Sequence, residues 1–153
     1  MSESLIVQSN EEGFREVEDF LDHTFDTYHV AHYAATIAVP VLQAVQNAIH
    51  HGNADDASRH VRLEVGHCRG GLFFEVSDEG KGFDYASHLS DGQSLEQGSR
   101  GLFLISTLSD RYVYSKGGCT LRMEFDIDGI IADDAVKRSS IMQHFYQREV
   151  VEA

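Results

Sequence analysis

The order of hydrophobic patterns along the chain constrains its fold more strongly than any other feature. A short strand pattern at residues 4–9 precedes two helical patterns, at residues 11 to about 29 and 31–51. Two strand pairs follow, with a short apolar helix between them. Helices that share one sheet can bury their apolar sides together on one of its faces. The pattern predicts an α+β fold, a two-layer α/β sandwich with a mixed, mostly antiparallel sheet and helices on one face.

Runs of β-branched and aromatic residues indicate the strand pairs. Residues 61–65 and 72–76 form the first predicted pair, and residues 112–114 and 120–125 form the second. The apolar helix between the pairs covers residues 101–108. Glycines lie at the turn of each pair, so we expect each to be a hairpin.

The two long helical patterns differ in regularity. Pro40 interrupts the second pattern and cannot donate a hydrogen bond to the preceding turn, so it either kinks that helix or marks its true start. In the first pattern, large apolar residues recur at helical spacing, which indicates a core-facing side rather than cofactor contacts. These residues are Phe14, Val17, Phe20, Leu21 and Phe25.

Length and charge exclude several classes of protein. The 153 residues, 42% of them hydrophobic, suit one domain with a real core. A formal charge of -13 opposes nonspecific attraction to nucleic acid or anionic lipid. No apolar run approaches the roughly 20 residues that span a bilayer, and the start of the chain lacks the pattern of a signal peptide. We therefore expect a cytoplasmic protein with no membrane or direct nucleic-acid partner.

The cysteines and histidines suggest a metal site only weakly. Cys68 and Cys119 are distant and outside any C-x-x-C spacing, so two reduced thiols are expected, with a structural disulfide as the minor option. The nearest metal-ligand candidates fit no standard zinc spacing. They are His50, His51, His60, His67 and Cys68.

Three polar or glycine-rich pieces lie within about sixty residues and point together to a nucleotide pocket. They are residues 43–53, 78–83 and 99–102. In the first piece, polar side chains share one side of the helix by their spacing and are predicted to face a cleft. These are Gln43, Gln46, Asn47 and His50. Alone, this side would more simply be a solvated helix face.

These pieces resemble the motifs of the Bergerat-fold (GHKL) ATPases, and within them the anti-sigma factor serine/threonine kinases. That pattern reads E-A-x-x-N-A-x-x-H-G, then D-x-G-x-G, then a G-x-G-L-like turn that opens a helix. The third motif is partial, because Ser99 stands where a glycine is usual, and Gln43 replaces the glutamate of the first. The matching residues of the first two motifs are Asn47, Ala48, His51, Gly52, Asp78, Gly80 and Gly82.

The resemblance implies ATP and Mg²⁺ as ligands and a Bergerat ATP-binding domain over residues 1–128. Residues 129–153 would be a C-terminal helical extension, and residues 84–99 a lid over the phosphates. Asn47 would hold Mg²⁺ on the phosphates, and Asp78 would accept from the adenine amino group, with help from Thr120 through water. The implied nucleotide-binding residues are Asn47, Asp78, Gly80, Gly82, Arg100, Gly101, Leu102 and Thr120.

Gln43 occupies the position of the expected general base of phosphoryl transfer. A neutral amide cannot accept the proton that a carboxylate accepts, so catalysis should be weakened or lost while nucleotide binding survives. The resemblance thus implies an ATP-binding anti-sigma factor, serine-kinase-like, that binds a sigma factor and is antagonised by a small partner protein.

Two other classes remain open from the sequence. One is a nonenzymatic interaction module whose pocket is vestigial or only stabilises its shape, which Gln43 favours. The other is a detached sensor-kinase ATPase domain, although no phosphoacceptor helix is apparent upstream. A homodimer is plausible by resemblance.

Overall fold

The computed structural model of the chain describes residues 2–82 and 97–127, except for the side chains of residues 97–100. Within these ranges the chain forms five strands and three α-helices. In chain order they are β1 (Ser2–Gln8), α1 (Glu11–Thr27), α2 (Ala34–Asn47), β2 (His60–Cys68), β3 (Gly71–Ser77), α3 (Gln97–Leu108), β4 (Arg111–Ser115) and β5 (Thr120–Asp126).

The strands form a single sheet in the order β1-β2-β3-β5-β4. Each neighbouring pair in this sheet is antiparallel. Both strand pairs predicted from the sequence are present, as β2 with β3 and β4 with β5. The predicted fold class is confirmed, with the refinement that the pairings among the described strands are all antiparallel.

One face of the sheet is lined by buried apolar residues, and the helices cover this face. The other face mixes charged and apolar residues, and Arg122 there pairs with Glu75 and Glu124 and stacks 4.0 Å from the Phe73 ring centroid. Side chains of successive strand residues point to opposite faces, so burial alternates along each strand. The buried residues of the central strands are Val61, Leu63, Val65, Leu72, Phe74, Val76, Leu121, Met123 and Phe125.

Helix α1 begins at a strong local signal. The Asn10 side chain accepts a hydrogen bond from the Gly13 N–H at 2.8 Å, and two glutamates follow in the first turn, where they complement the helix dipole. The predicted core residues Val17, Leu21 and Phe25 are buried against the sheet side. Phe14 and Phe20, also predicted, are partly buried against the same core.

Helix α2 is longer than its proline suggests. Pro40 is buried inside the helix, so it does not mark the start of α2, which lies at Ala34 after a 3-10 turn over Ala31–Tyr33. The predicted continuation to His51 is present, but as a π-helical turn over Ala48–Gly52.

Parts of the sequence interpretation lie outside the described residues. These are the proposed extension at 129–153 and most of the predicted lid at 84–99, of which only residues 97–99 are described, as the start of α3. Across the described ranges, no helix is both long enough and apolar enough to cross a membrane.

Candidate functional site

A cavity of about 250 Å³ lies between the helices and one end of the sheet. It is formed where α2 and its π-helical turn, the loop after β3, α3 and the turn between β4 and β5 approach one another. Its lining residues are Ala44, Asn47, Ala48, His51, Gly52, Val76, Asp78, Gly82, Leu102, Ile105, Tyr114, Gly118, Cys119 and Leu121. The three motifs singled out in the sequence all contribute to this lining.

The side of α2 that faces the cavity is less polar than predicted. Gln46 and His50 are exposed and are not part of the described lining, so the predicted polar side is wrong for these two residues. His50 instead pairs with Asp55, with 2.6 Å between Nδ1 and Oδ1. The residues that face the cavity have the predicted i, i+3, i+4, i+7 spacing, but the spacing is counted from Ala44 and not from Gln43. It consists of Ala44, Asn47, Ala48 and His51.

The π-helical turn ends α2 at the edge of the cavity. The Asn53 N–H donates to the Ala48 carbonyl oxygen at 2.8 Å, an i→i+5 bond that widens the last turn. His51 and Gly52 lie within this turn and line the cavity. Periodicity alone does not reveal this turn, because it ends the helix and no further helical turns follow to display a shifted pattern.

Gln43 and Asn47 lie side by side against the start of α3. A Cβ atom placed on Gly101 would lie 2.9 Å from Gln43 Oε1 and 3.3 Å from Asn47 Nδ2. The two amide side chains are one helical turn apart and both half-buried. Gly101 therefore gives α3 a close approach to the two residues for which the sequence predicted metal and catalytic roles.

Asp78 is the carboxylate of the cavity. It follows β3 directly, and its N–H donates to the Cys119 carbonyl oxygen at 2.9 Å. Its Oδ1 accepts the Gly80 N–H at 2.8 Å. Burial raises the pKa of the Asp78 carboxyl above its ordinary value, although hydrogen bonds from Gly80 and the Cys119 thiol act in the opposite direction. The side chain is thus a fixed, partly desolvated hydrogen-bond acceptor.

Cys119 is a cavity residue that the sequence interpretation missed. Its thiol donates to the Gly80 carbonyl oxygen at 3.2 Å and lies close to the Asp78 side chain. Burial raises the pKa of the Cys119 thiol, and the neighbouring Asp78 charge raises it further, so the thiol stays protonated and acts as a donor at neutral pH. Both cysteines are free thiols.

Thr120, assigned by resemblance beside Asp78, is placed elsewhere. It is 3% exposed, it is not among the cavity-lining residues, and its Oγ1 lies 3.2 Å from Ser77 Oγ. Thr120 pairs with Ser77 on the neighbouring strand. Its side chain therefore points to the opposite face of the sheet from that of Leu121, which faces inward. The residue one position earlier, Cys119, is therefore the one beside Asp78.

Gly80 and Gly82 are needed by the packing of the protein itself. A Cβ atom on Gly80 would lie 1.8 Å from the Gly52 carbonyl oxygen, and one on Gly82 would lie 2.0 Å from the Gly117 carbonyl oxygen. Gly82 also has a φ of 86°, in the left-handed region that favours glycine. The sequence interpretation gave these glycines a place beneath a flat ring, whereas the described contacts are between backbone loops.

The remaining wall of the cavity is apolar. Leu102 and Ile105 come from α3, which packs along α2. Val76, Leu121 and Tyr114 complete the wall from the sheet, and burial raises the pKa of the Tyr114 phenol, which therefore stays neutral. A mostly apolar slot with one half-buried carboxylate at its end suits a flat ring that carries a hydrogen-bond donor.

The predicted site residues are therefore brought together in part. Asn47, Asp78, Gly82 and Leu102 line the cavity, Gly80 supports the Asp78 loop, and Gln43 and Gly101 meet beside Asn47. Arg100 lies in the first turns of α3, and its side chain is not described. Over the described residues, no group of three or more His, Cys, Asp or Glu side chains is placed to hold a metal ion by itself.

Comparison with known proteins identifies the family of the chain. Residues 15–125 match the family model of the histidine kinase-like ATPase domain, and the chain belongs to this family. It is 30% identical over 105 residues to the serine-protein kinase RsbW of Bacillus subtilis (strain 168). The alignment covers 61% of this chain and 64% of that relative, so the chain spans slightly less than two thirds of the relative's length. The family resemblance seen in the motifs is confirmed.

The donor set fits the ligands that this family implies. Asn47 offers a neutral amide oxygen, a hard ligand that can complete the coordination of Mg²⁺ when phosphates and water supply the other positions. Asp78 offers an acceptor for an exocyclic amino group at the apolar end. One end of the site is thus suited to a base and the other to a metal-bound phosphate chain.

Proposed function

We propose that this protein is an ATP-binding regulator of the anti-sigma factor, serine-kinase-like type. The observation that carries this proposal is Asp78, a half-buried carboxylate that accepts the Gly80 N–H at the end of an apolar cavity, in a loop whose Gly80 carbonyl accepts from the Cys119 thiol. A carboxylate held in this way recognises a ring with an amino group and rejects one without it, because the buried acceptor would be left unpaired.

At the base end, Asp78 accepts from the adenine amino group, and the apolar wall covers the faces of the ring. Cys119 takes the place that the sequence interpretation gave to Thr120, since its thiol donates to the Gly80 carbonyl oxygen and so helps to hold the loop that carries Asp78. Gly80 and Gly82 act by allowing the loop after β3 to pack against the end of the π-helical turn and against the turn between β4 and β5.

At the phosphate end, Asn47 holds Mg²⁺ with its amide oxygen, while α3 brings Arg100, Gly101 and Leu102 toward the phosphates. The Mg²⁺ ion supplies charge that offsets the negative phosphates, which matters in a chain with a formal charge of -13. Backbone N–H groups near the start of α3 add to the same effect, because a helix N-terminus attracts anions.

Gln43 determines how far the site can act as a kinase. Its side chain lies next to Asn47 and Gly101, in a position to orient a hydroxyl group or a water molecule near the terminal phosphate. As an amide it cannot accept the proton of that nucleophile, so phosphoryl transfer to a Ser or Thr is slow or absent.

The proposed partners are a sigma factor and a small antagonist protein, with a homodimer as the assembly. They follow from the resemblance and from similarity to a relative named as a serine-protein kinase. Copurification of the protein with the sigma factors of its own organism, with and without ATP, tests this part; binding to none of them would contradict it.

A nonenzymatic interaction module is the second candidate function. It is favoured by Gln43, which replaces the only side chain that the family pattern offers as a base. In that case nucleotide would stabilise the binding shape without being consumed.

We expect Asn47→Ala to weaken Mg-ATP binding by about 10- to 100-fold, the size of loss typical when a group supporting a metal site is removed. Binding of ATP in the presence of a metal chelator should change little, because the base end is intact. Calorimetry with and without Mg²⁺ measures both quantities.

The matched control is Gln46→Ala, an adjacent amide that is exposed and outside the described cavity lining. This control should bind Mg-ATP like the wild type. An Asn47→Ala variant with unchanged Mg²⁺ dependence would show that the metal role is assigned to the wrong residue.

A further inference from the structure

Asn53 is a completely buried polar side chain directly after the π-helical turn. It is 0% exposed, and its amide group makes three hydrogen bonds of 2.8 to 2.9 Å. Burial of an amide is costly unless its donors and acceptor are satisfied. Asn53 ends the first motif piece, but the sequence interpretation gave it no role.

Two of these bonds attach Asn53 to the residue after the end of β1 and to the first residue of β2. Its Nδ2 donates to Ser9 Oγ at 2.8 Å and to the His60 carbonyl oxygen at 2.9 Å. Ser9 is itself 2% exposed and donates to the Arg59 carbonyl oxygen at 3.0 Å. These contacts join the segments that follow β1 and begin β2, so they form a fixed anchor.

The third bond reaches the cavity loop. Asn53 Oδ1 accepts the N–H of Glu79, the residue that follows Asp78, at 2.8 Å. The Glu79 side chain in turn accepts the His60 N–H at 2.8 Å, which gives the loop a second connection to β2. Next to this bond, Gly52 is in such close contact with Asp78 that a Cβ atom there would lie 2.3 Å from its Oδ2.

We propose that Asn53 is a positioning residue for base recognition, and that it holds the loop that carries Asp78 at a fixed position relative to the end of α2. This inference rests on the proposed function, in which Asp78 reads the amino group of the base. A planar amide suits the role because its acceptor faces the loop while its two donors face the anchor. The carboxylate of Asp78 is consequently fixed relative to the turn that carries His51 and follows Asn47.

Three variants separate positioning from general stability. Asn53→Ala removes all three bonds, Asn53→Asp retains an oxygen toward the Glu79 N–H but loses the donors, and Ser9→Ala removes part of the anchor only. Each is compared with the wild type at a temperature where circular dichroism shows it folded. The readout is the ratio of the dissociation constants for ATP and for purine riboside triphosphate, which lacks the 6-amino group.

We expect Asn53→Ala to reduce this discrimination about tenfold, the effect of losing the alignment that one hydrogen bond provides. Ser9→Ala should keep the wild-type ratio. Asn53→Asp should keep most of the wild-type discrimination. Its buried carboxylate lacks the two donors of the amide, however, so this variant should lose at least as much stability as Asn53→Ala. Amide exchange at Glu79 without nucleotide should accelerate in Asn53→Ala and not in Ser9→Ala.

The outcomes distinguish this inference from the proposed function. A folded wild type that does not discriminate between the two triphosphates overturns both. If the wild type discriminates between the two triphosphates, the proposed function stands. The inference alone is then overturned if Asn53→Ala discriminates equally well, or if discrimination in the three variants simply follows their stability.

Discussion

Replacing Gln43 with glutamate is expected to raise the rate of phosphoryl transfer by about 10²- to 10⁴-fold, the usual contribution of a positioned general base. Glutamate and glutamine have nearly the same shape, and Gln43 already lies against Gly101 beside Asn47. The substitution therefore adds a proton acceptor without repacking the site, and nucleotide affinity should change little. Release of labelled phosphate from γ-labelled ATP measures transfer to water, and incorporation of label into an added Ser-containing partner measures transfer to that acceptor.

The matched control for this gain is Gln46→Glu, which makes the same change of charge at an exposed position outside the described cavity lining. It should leave the rate at the wild-type level. Equal and negligible turnover in wild type and Gln43→Glu would remove our account of this position and favour the nonenzymatic module.

Asp78→Asn should lower ATP affinity by about 10- to 100-fold, the range expected for a hydrogen bond to a charged group. The asparagine oxygen can still accept the Gly80 N–H, so the loop should keep its shape, but the amide presents a donor where the base requires an acceptor. Glu79→Gln is the matched control, since it removes a neighbouring charge and retains the oxygen that accepts the His60 N–H. Unchanged ATP affinity in Asp78→Asn would contradict base recognition by this carboxylate.

Although Asp78→Asn should lower ATP affinity, it should not lower the stability of the ligand-free protein. Burial raises the pKa of Asp78, so between its ordinary and its raised value the folded protein binds this proton more readily than the unfolded chain. The ionised side chain therefore costs stability above the raised pKa, and the cost is relieved as pH falls through that window. Asp78→Asn removes the cost, so at neutral pH we expect its urea midpoint to equal or exceed that of the wild type.

Local patterns in the sequence predicted most of the fold. The strand pairs, the first helix and its buried residues Val17, Leu21 and Phe25 follow from side-chain periods of two and about 3.6, which depend only on neighbouring positions. The order of these elements then predicted the two-layer arrangement. Pro40 left the start of α2 open, because a proline is tolerated at the start of a helix and as an interruption within one.

The site was less predictable because it depends on contacts between distant segments. The cavity face of α2 contains Ala44, Asn47, Ala48 and His51 in place of the predicted Gln46 and His50, because packing against the sheet and α3, and not the helical spacing, decides which side of α2 faces the cavity. Likewise, the register of β5 decides that Cys119 and not its neighbour reaches Asp78. A buried asparagine such as Asn53 looks in the sequence like an ordinary loop residue.

The central claim is most directly tested by calorimetric titration of the protein with ATP, ADP and GTP, each with and without Mg²⁺. Our account predicts that ATP and ADP bind, that GTP binds much more weakly, and that Mg²⁺ strengthens binding of ATP. A folded protein that binds none of these nucleotides, or that binds GTP as well as ATP, would contradict the assignment of this cavity as an adenine nucleotide site.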